Sequence, residues 1–201
     1  MKKLKNIIPV AVFAIANLFT SCVSEDDQNL PNYNPVIFNE DFQAIPAGTF
    51  DASQWVIQEE AGSKKWFATS YNGNGYFEFS PFNSGETVNI GWLVTPAISI
   101  DQANAKRLTF KIAQHHVVDT TNNYLSLYIS TDFAGDVTTA TWVEKSIKLP
   151  PVGSANNYDF FNSGIVDLSE FSGTIYIGFK AVGGTASVNA GAYQIDDIKV
   201  F

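Results

Sequence analysis

The chain has 201 residues, with 12 Lys and Arg against 20 Asp and Glu, a formal charge of −8. An acidic chain without a basic cluster makes nucleic acid and anionic lipid surfaces poor partners, because phosphate recognition relies on grouped Lys and Arg. The 45% of hydrophobic residues, with 14% aromatic, supply a sizeable core.

The N-terminus opens with Lys2, Lys3 and Lys5, continues almost wholly apolar from Asn6 to Phe19, and ends in Thr20-Ser21-Cys22. A positive start, an apolar run of about 14 residues and small residues before a cut are the parts of a secretory signal, well short of the ~20 residues needed to span a bilayer. The segment resembles a bacterial lipoprotein signal, with Phe19 where Leu is usual. That resemblance implies cleavage before Cys22, diacylglycerol on its sulfur and acylation (palmitate-type) of its new amino group. Such a protein is anchored to the membrane and does not span it. Glu25-Asp26-Asp27 resembles an export tag for the outer face of the outer membrane, so the expected address is a lipid anchor facing the cell exterior. Losing residues 1–21 removes three lysines and no acid, leaving 9 basic residues against 20 acidic. Residues 22–35 then read as the lipidated cysteine and a flexible polar tether, with Asn29, Pro31, Asn32, Asn34 and Pro35 and nothing to bury. Residues 36–201 form one domain.

No long window in that domain has helical periodicity, while period-two alternation recurs. Strands are predicted at Val36–Phe42, Gln54–Gln58, Trp66–Ser70, Tyr76–Phe79, Trp92–Thr95, Leu108–Ile112, Leu125–Ile129, Trp142–Ile147, Gly164–Leu168, Ile175–Lys180 and Tyr193–Phe201. Turn chemistry such as Asn72-Gly73 and Gly183-Gly184 lies between them, and Pro96 marks an edge or bend. Ten or eleven short strands, each with one solvated face, predict an all-β fold. Two antiparallel sheets would pack as a sandwich, most commonly a jelly roll.

Several phrases carry a family resemblance: Phe38-Asn-Glu-Asp-Phe42, Trp92-Leu-Val-Thr-Pro-Ala-Ile-Ser-Ile100, Leu127-Tyr-Ile-Ser-Thr-Asp132, Ala140-Thr-Trp-Val-Glu144, Ile165-Val-Asp-Leu-Ser169 and Tyr193-Gln-Ile-Asp-Asp-Ile198. Together they resemble choice-of-anchor J, or cleaved-adhesin, domains, jelly rolls related to the MAM type. The resemblance implies a non-catalytic adhesion or glycan-binding module that often carries structural calcium. It marks Glu40 and Asp196 as metal ligands, with Asp41, Asp51 and Asp197 as adjacent candidates. Alternation puts Glu40 in phase with Phe38 and Phe42, and Asp196 in phase with Ile198 and Val200. Both carboxylates are therefore expected to face the apolar side, where a carboxylate is costly unless paired or metal-bound. Calcium takes 6–8 oxygen ligands, and carbonyls of the Phe50-Asp51 or Ser70–Gly75 loops would complete the shell. The alternative for both acids is hydrogen bonding to loop amides or pairing with Lys or Arg.

Catalytic constellations are weak. His115 and His116 are the only histidines, and neighbours on a strand point to opposite faces, so they are not expected to share a metal. No nucleophile elbow or phosphate-cradling loop is present, and nothing selects a carboxylate pair for glycoside hydrolysis. Aromatics are the remaining clue, because sugar rings stack on exposed Trp or Tyr while Asn, Asp and Gln read the hydroxyls. Most must fill the core, and Trp66, Tyr71 and Tyr124, beside Asn72, Asn74, Asn122 and Asn123, are expected to be exposed for ligand. The sequence thus predicts a non-catalytic surface module that binds a glycan or a host or neighbouring surface. The alternative is an accessory subunit of a surface assembly that binds a protein partner.

Overall fold

The computed structural model describes residues 34–201. The expectations for Cys22 and the signal segment lie outside the described residues. From Asn34 to Phe201 the chain forms one compact unit of two antiparallel sheets, a jelly-roll sandwich.

The strands are β1 (Phe38–Glu40), β2 (Val56–Ala61), β3 (Phe67–Tyr71), β4 (Asn74–Phe79), β5 (Asn89–Val94), β6 (Ile98–Ser99), β7 (Arg107–His115), β8 (Tyr124–Ser130), β9 (Val143–Lys145), β10 (Phe161–Asn162), β11 (Val166–Asp167), β12 (Thr174–Gly183) and β13 (Ala192–Val200). The first sheet runs β10-β7-β13-β4-β3, with β1 paired to β13 and β11 to β7. The second runs β2-β5-β12-β8-β9, with β6 also on β12. Each strand predicted from alternation has a counterpart here. Pro96 lies between β5 and β6, where a missing amide hydrogen is tolerated because the ladder on β12 is already interrupted.

The inward phases meet as one core. Leu108, Phe110 and Ile112 of β7 face Leu125, Leu127 and Ile129 of β8 and Ile175, Ile177 and Phe179 of β12. Phe110 and Phe179 join the two sheets edge to face at 5.0 Å. At one side Phe42, Phe50, Trp55 and Phe77 pack ring on ring, with Phe77 5.2 to 5.8 Å from the other three. Buried polar groups are largely satisfied. The Tyr193 hydroxyl donates to the Asn123 carbonyl, and the Asn123 amide donates to the carbonyls of Val182 and Gly191.

The two outer faces differ. On the second sheet, Trp92 and Val94 are buried beneath Phe133 and Val137 of the β8–β9 connection, with Tyr128, Trp142 and Tyr176 packed around them. Gly178 is needed at its centre, since a Cβ there would strike the Trp92 and Trp142 rings. That face keeps a shallow pocket of about 350 Å³, lined by Glu60, Trp92, Tyr128, Val137, Thr138, Trp142 and Lys180. The outer face of the first sheet is left open over β3, β4 and β13.

One irregularity governs what that open face displays. Pairing of β13 with β7 slips between Asp196 and Lys199, and Asp197 adopts φ +52. This β-bulge adds one residue to β13. Upstream of it Tyr193 and Ile195 are in the core, and downstream Ile198 and Val200 are. Inward positions are therefore three apart across the bulge, where strict alternation has two. Asp196 shares the outer side with Gln194. The expectation that it faces the apolar side with Ile198 is corrected: a positive-φ residue hides the change of phase from sequence.

Candidate functional site

A half-open cleft of about 730 Å³ lies on the outer face of the first sheet, lined by Tyr71, Asn74, Tyr76, Glu78, His115, Tyr158, Phe160 and Gln194. Its floor follows from alternation on β4: Phe77 and Phe79 enter the core, so Asn74, Tyr76 and Glu78 point out. Gln194 stands opposite Glu78 across the β4–β13 ladder. One wall is Tyr71 on β3, opposite Asn74, with 71% of its surface exposed. The other wall comes from the segment before β10, which folds back over the sheet. Tyr158 stacks on His115 at 4.4 Å, and Phe160 packs edge-on against Tyr76 at 5.8 Å. That segment is pinned at the end of β7. The Tyr158 amide donates to the Gln114 carbonyl, the Gln114 side chain donates to the carbonyls of Pro150 and Pro151, and the His116 amide donates to Asn157 Oδ1.

The polar groups are oriented in advance. Gln194 Nε2 donates to Glu78 Oε2 at 2.7 Å, and His115 Nε2 lies 3.7 Å from Glu78 Oε1. Burial pushes the Glu78 carboxyl up, but the His115 imidazole beside it and the hydrogen bond from Gln194 outweigh that effect. The acid is held below its ordinary value. Burial moves the Tyr76 phenol above its usual range, with Glu78, Tyr158 and Tyr71 adding to the effect. Aromatic faces with convergent hydrogen-bonding groups form a binding surface. No activated nucleophile is among them.

Of the predicted ligand residues, Tyr71 and Asn74 line this cleft. Asn72 occupies the tight turn joining β3 to β4, at φ +49, and is exposed there. Trp66 is corrected: it is 2% exposed, packs on Phe79 and donates its indole N–H to the Gly91 carbonyl. Trp66 belongs to the core cluster, just before β3 begins. Tyr124 lies on β8 in the other sheet, half-buried and away from the cleft, and Asn123 beside it is buried. For the histidines only the opposite-faces premise is corrected; His115 is half-buried and His116 exposed at a strand end. His115 ends β7, His116 turns at φ +58, and their Nδ1 atoms come within 2.9 Å on one side. Sequence reasoning did not select Tyr76, Glu78, His115, Tyr158, Phe160 or Gln194. The row Asn74-Tyr76-Glu78 against Gly75-Phe77-Phe79 was the available signal.

The predicted metal ligands do not converge on one point: Glu40 ends β1, Asp41 and Asp51 lie in the turns after it, and Asp196 and Asp197 lie at the β13 bulge. Glu40 stands opposite Ile198 and keeps the inward phase, and Glu40 Oε1 accepts the Phe42 amide at 2.9 Å. Asp196, 4% exposed, accepts the Asn74 side-chain amide at 3.0 Å and the Asp197 amide at 2.6 Å. Asp197 pairs with Lys111 at 2.6 Å and Lys199 at 3.6 Å. Asp41 and Asp51 accept the amides of Gln43 and Ser53 as exposed turn residues. Among the described residues no group of three or more His, Cys, Asp or Glu is gathered as metal ligands. Of the four that lack an ion-pair partner, Asp41 and Asp51 are exposed to solvent, and Glu40 and Asp196 are the two that are not. Both carboxyls sit above their ordinary values, chiefly through burial; the charges of Asp41 and Asp196 add for Glu40, and that of Asp197 for Asp196. The donors are all oxygen, the chemistry calcium accepts.

No protein-family model matches the chain, and no curated protein does. Solved structures do. The K1 cleaved adhesin domain of Lys-gingipain from Porphyromonas gingivalis W83 is similar at 19% identity and a TM-score of 0.53, covering 82% of this chain and 96% of that one. The K3 domain of the same protein is similar at 16% identity and 0.52, covering 83% and 99%. The K2 domain gives 13% and 0.51, covering 82% and 97%. What this chain shares with those adhesin domains is the jelly-roll fold.

Proposed function

We propose that this protein is a non-catalytic, cell-surface glycan-binding module, tethered to the outer membrane through Cys22. The observation that carries the reading is the open cleft, where Tyr71 and Tyr158 offer exposed ring faces beside Asn74, Glu78, His115 and Gln194. Stacking on the apolar faces of sugar rings, with hydroxyls read by fixed polar groups, is the use this lining suits. The fold shared with gingipain adhesin domains supports an adhesive role. A glycan array probed with the purified protein tests it: at least one saturable glycan signal is expected, and a blank array across diverse glycans sinks the reading.

Calcium is the second part of the proposal. Glu40 and Asp196 are the carboxylates that would hold it, with neighbouring carbonyl and amide oxygens. In chelator, both acids bind protons more readily in the folded chain than at their unfolded values of 4.5 and 3.8. The stability they contribute is complete below those values and is lost as pH rises through the raised folded ones. Asp196→Asn should therefore gain stability relative to the parent between about pH 4 and 7 in chelator, and calcium should reverse that order. Thermal melts across this range check it. Parallel curves for parent and variant, with no calcium shift, refute the site.

A further inference from the structure

We propose that the cleft selects uncharged, hydroxyl-rich sugars and rejects uronic, sialic and sulfated ones, with Glu78 as the residue that sets this preference. The inference rests on the glycan reading and gives it a substrate class. Glu78 sits on the cleft floor between Tyr76 and the core residue Phe79, opposite Gln194. Gln194 occupies only Oε2, at 2.7 Å. Oε1 is 3.7 Å from the nearest His115 nitrogen, beyond hydrogen-bond range, and keeps acceptor capacity. An ionised carboxylate accepts and never donates, so it suits a sugar hydroxyl. An anionic ring substituent brought against it meets like charge in a partly desolvated place.

No fixed cation of the lining offsets that charge. The lining contains no Lys or Arg. Lys111, on the neighbouring part of β7, is engaged by Asp197 at 2.6 Å. Asp196 adds a second carboxyl group at the Asn74 end. His115 is the one basic side chain in the lining, and its ring is stacked on Tyr158 with Nδ1 against His116. The hydrogen bond from Gln194 also favours the ionised form of Glu78 over the acid.

The test uses matched oligosaccharides differing only by oxidation at C6, such as oligogalactosides and oligogalacturonides, or cello-oligosaccharides and oligoglucuronides, titrated by calorimetry. The neutral member of the pair that binds should bind at least tenfold more tightly than its uronate. Glu78→Gln should narrow the ratio to about threefold or less, mainly by improved uronate binding, and added salt should narrow it in the parent. Thr69→Lys gives an independent check, because Thr69 on the edge strand β3 stands opposite Tyr76 on the same face and leaves Glu78 intact. It should raise uronate affinity. Uronate binding equal to or better than neutral binding in the parent overturns the inference while the glycan cleft stands. Equal loss of both ligands in Glu78→Gln makes Glu78 a positioning residue and overturns its assigned role. No binding of any sugar removes the glycan reading itself, and this inference with it.

Discussion

Replacing Tyr71 and Tyr158 together by alanine should weaken glycan binding about a hundredfold while the melting temperature moves by only a degree or two. Each ring forms a different wall, one on β3 and one on the segment before β10. A stacked aromatic face is worth roughly 1–1.5 kcal/mol, close to tenfold in affinity, and separate walls should add. The two side chains are 71% and 54% exposed, so truncating them opens no cavity in the core. Tyr→Phe at both positions should keep most of the affinity, since the ring face is retained and only the hydroxyl is lost. Calorimetry on the parent, the phenylalanine pair and the alanine pair separates the cases. Unchanged affinity in the alanine pair places the ligand elsewhere.

Phe77→Ala should be the most damaging single change near the cleft, costing about 3–5 kcal/mol of folding stability. Phe77 is fully buried and lies against Phe42, Phe50 and Trp55 at 5.2 to 5.8 Å, so its removal leaves a void walled by three rings. Against a total near 5–15 kcal/mol this is a large fraction, equivalent to a fall in melting temperature of roughly 6–20 °C for a domain of this size. Phe77→Leu should lose markedly less, because most of the volume is kept. Phe77 lies between Tyr76 and Glu78 on β4, so the alanine variant should also lose glycan binding on warming well before the parent does. Denaturant melts with both variants measure the difference. A cost below about 1 kcal/mol would show that the aromatic cluster collapses around the gap.

Alternation made the sandwich legible, because each strand core such as Leu108-Phe110-Ile112 needs only one covered face to declare itself. It did not say which outer face carries the cleft. That depends on the β8–β9 connection burying Trp92 and Val94 and leaving β4 and β13 uncovered. Tyr71 and Asn74 were readable because turn chemistry and an exposed aromatic coincide at the β3–β4 hairpin. Tyr158 and Phe160 were not, since their position depends on long-range ties from Gln114 to the Pro150-Pro151 carbonyls. Trp66 misled because residue size is silent about side, and only the Gly91 carbonyl explains where its N–H goes. His115 and His116 defeated the opposite-faces rule through one positive φ.

The slip between Asp196 and Lys199 also bears on how such a domain diversifies. Upstream of it, β13 places Gln194 in the cleft lining and ties Asp196 to the cleft residue Asn74; downstream, Ile198 and Val200 seal the interior. Substitutions in the first half can retune recognition without disturbing closure of the second. Loss of a single residue there would exchange inside for outside along one half or the other. Length at this point is therefore held more tightly than composition, and new binding preferences can arise by point substitution where insertion or deletion is barred.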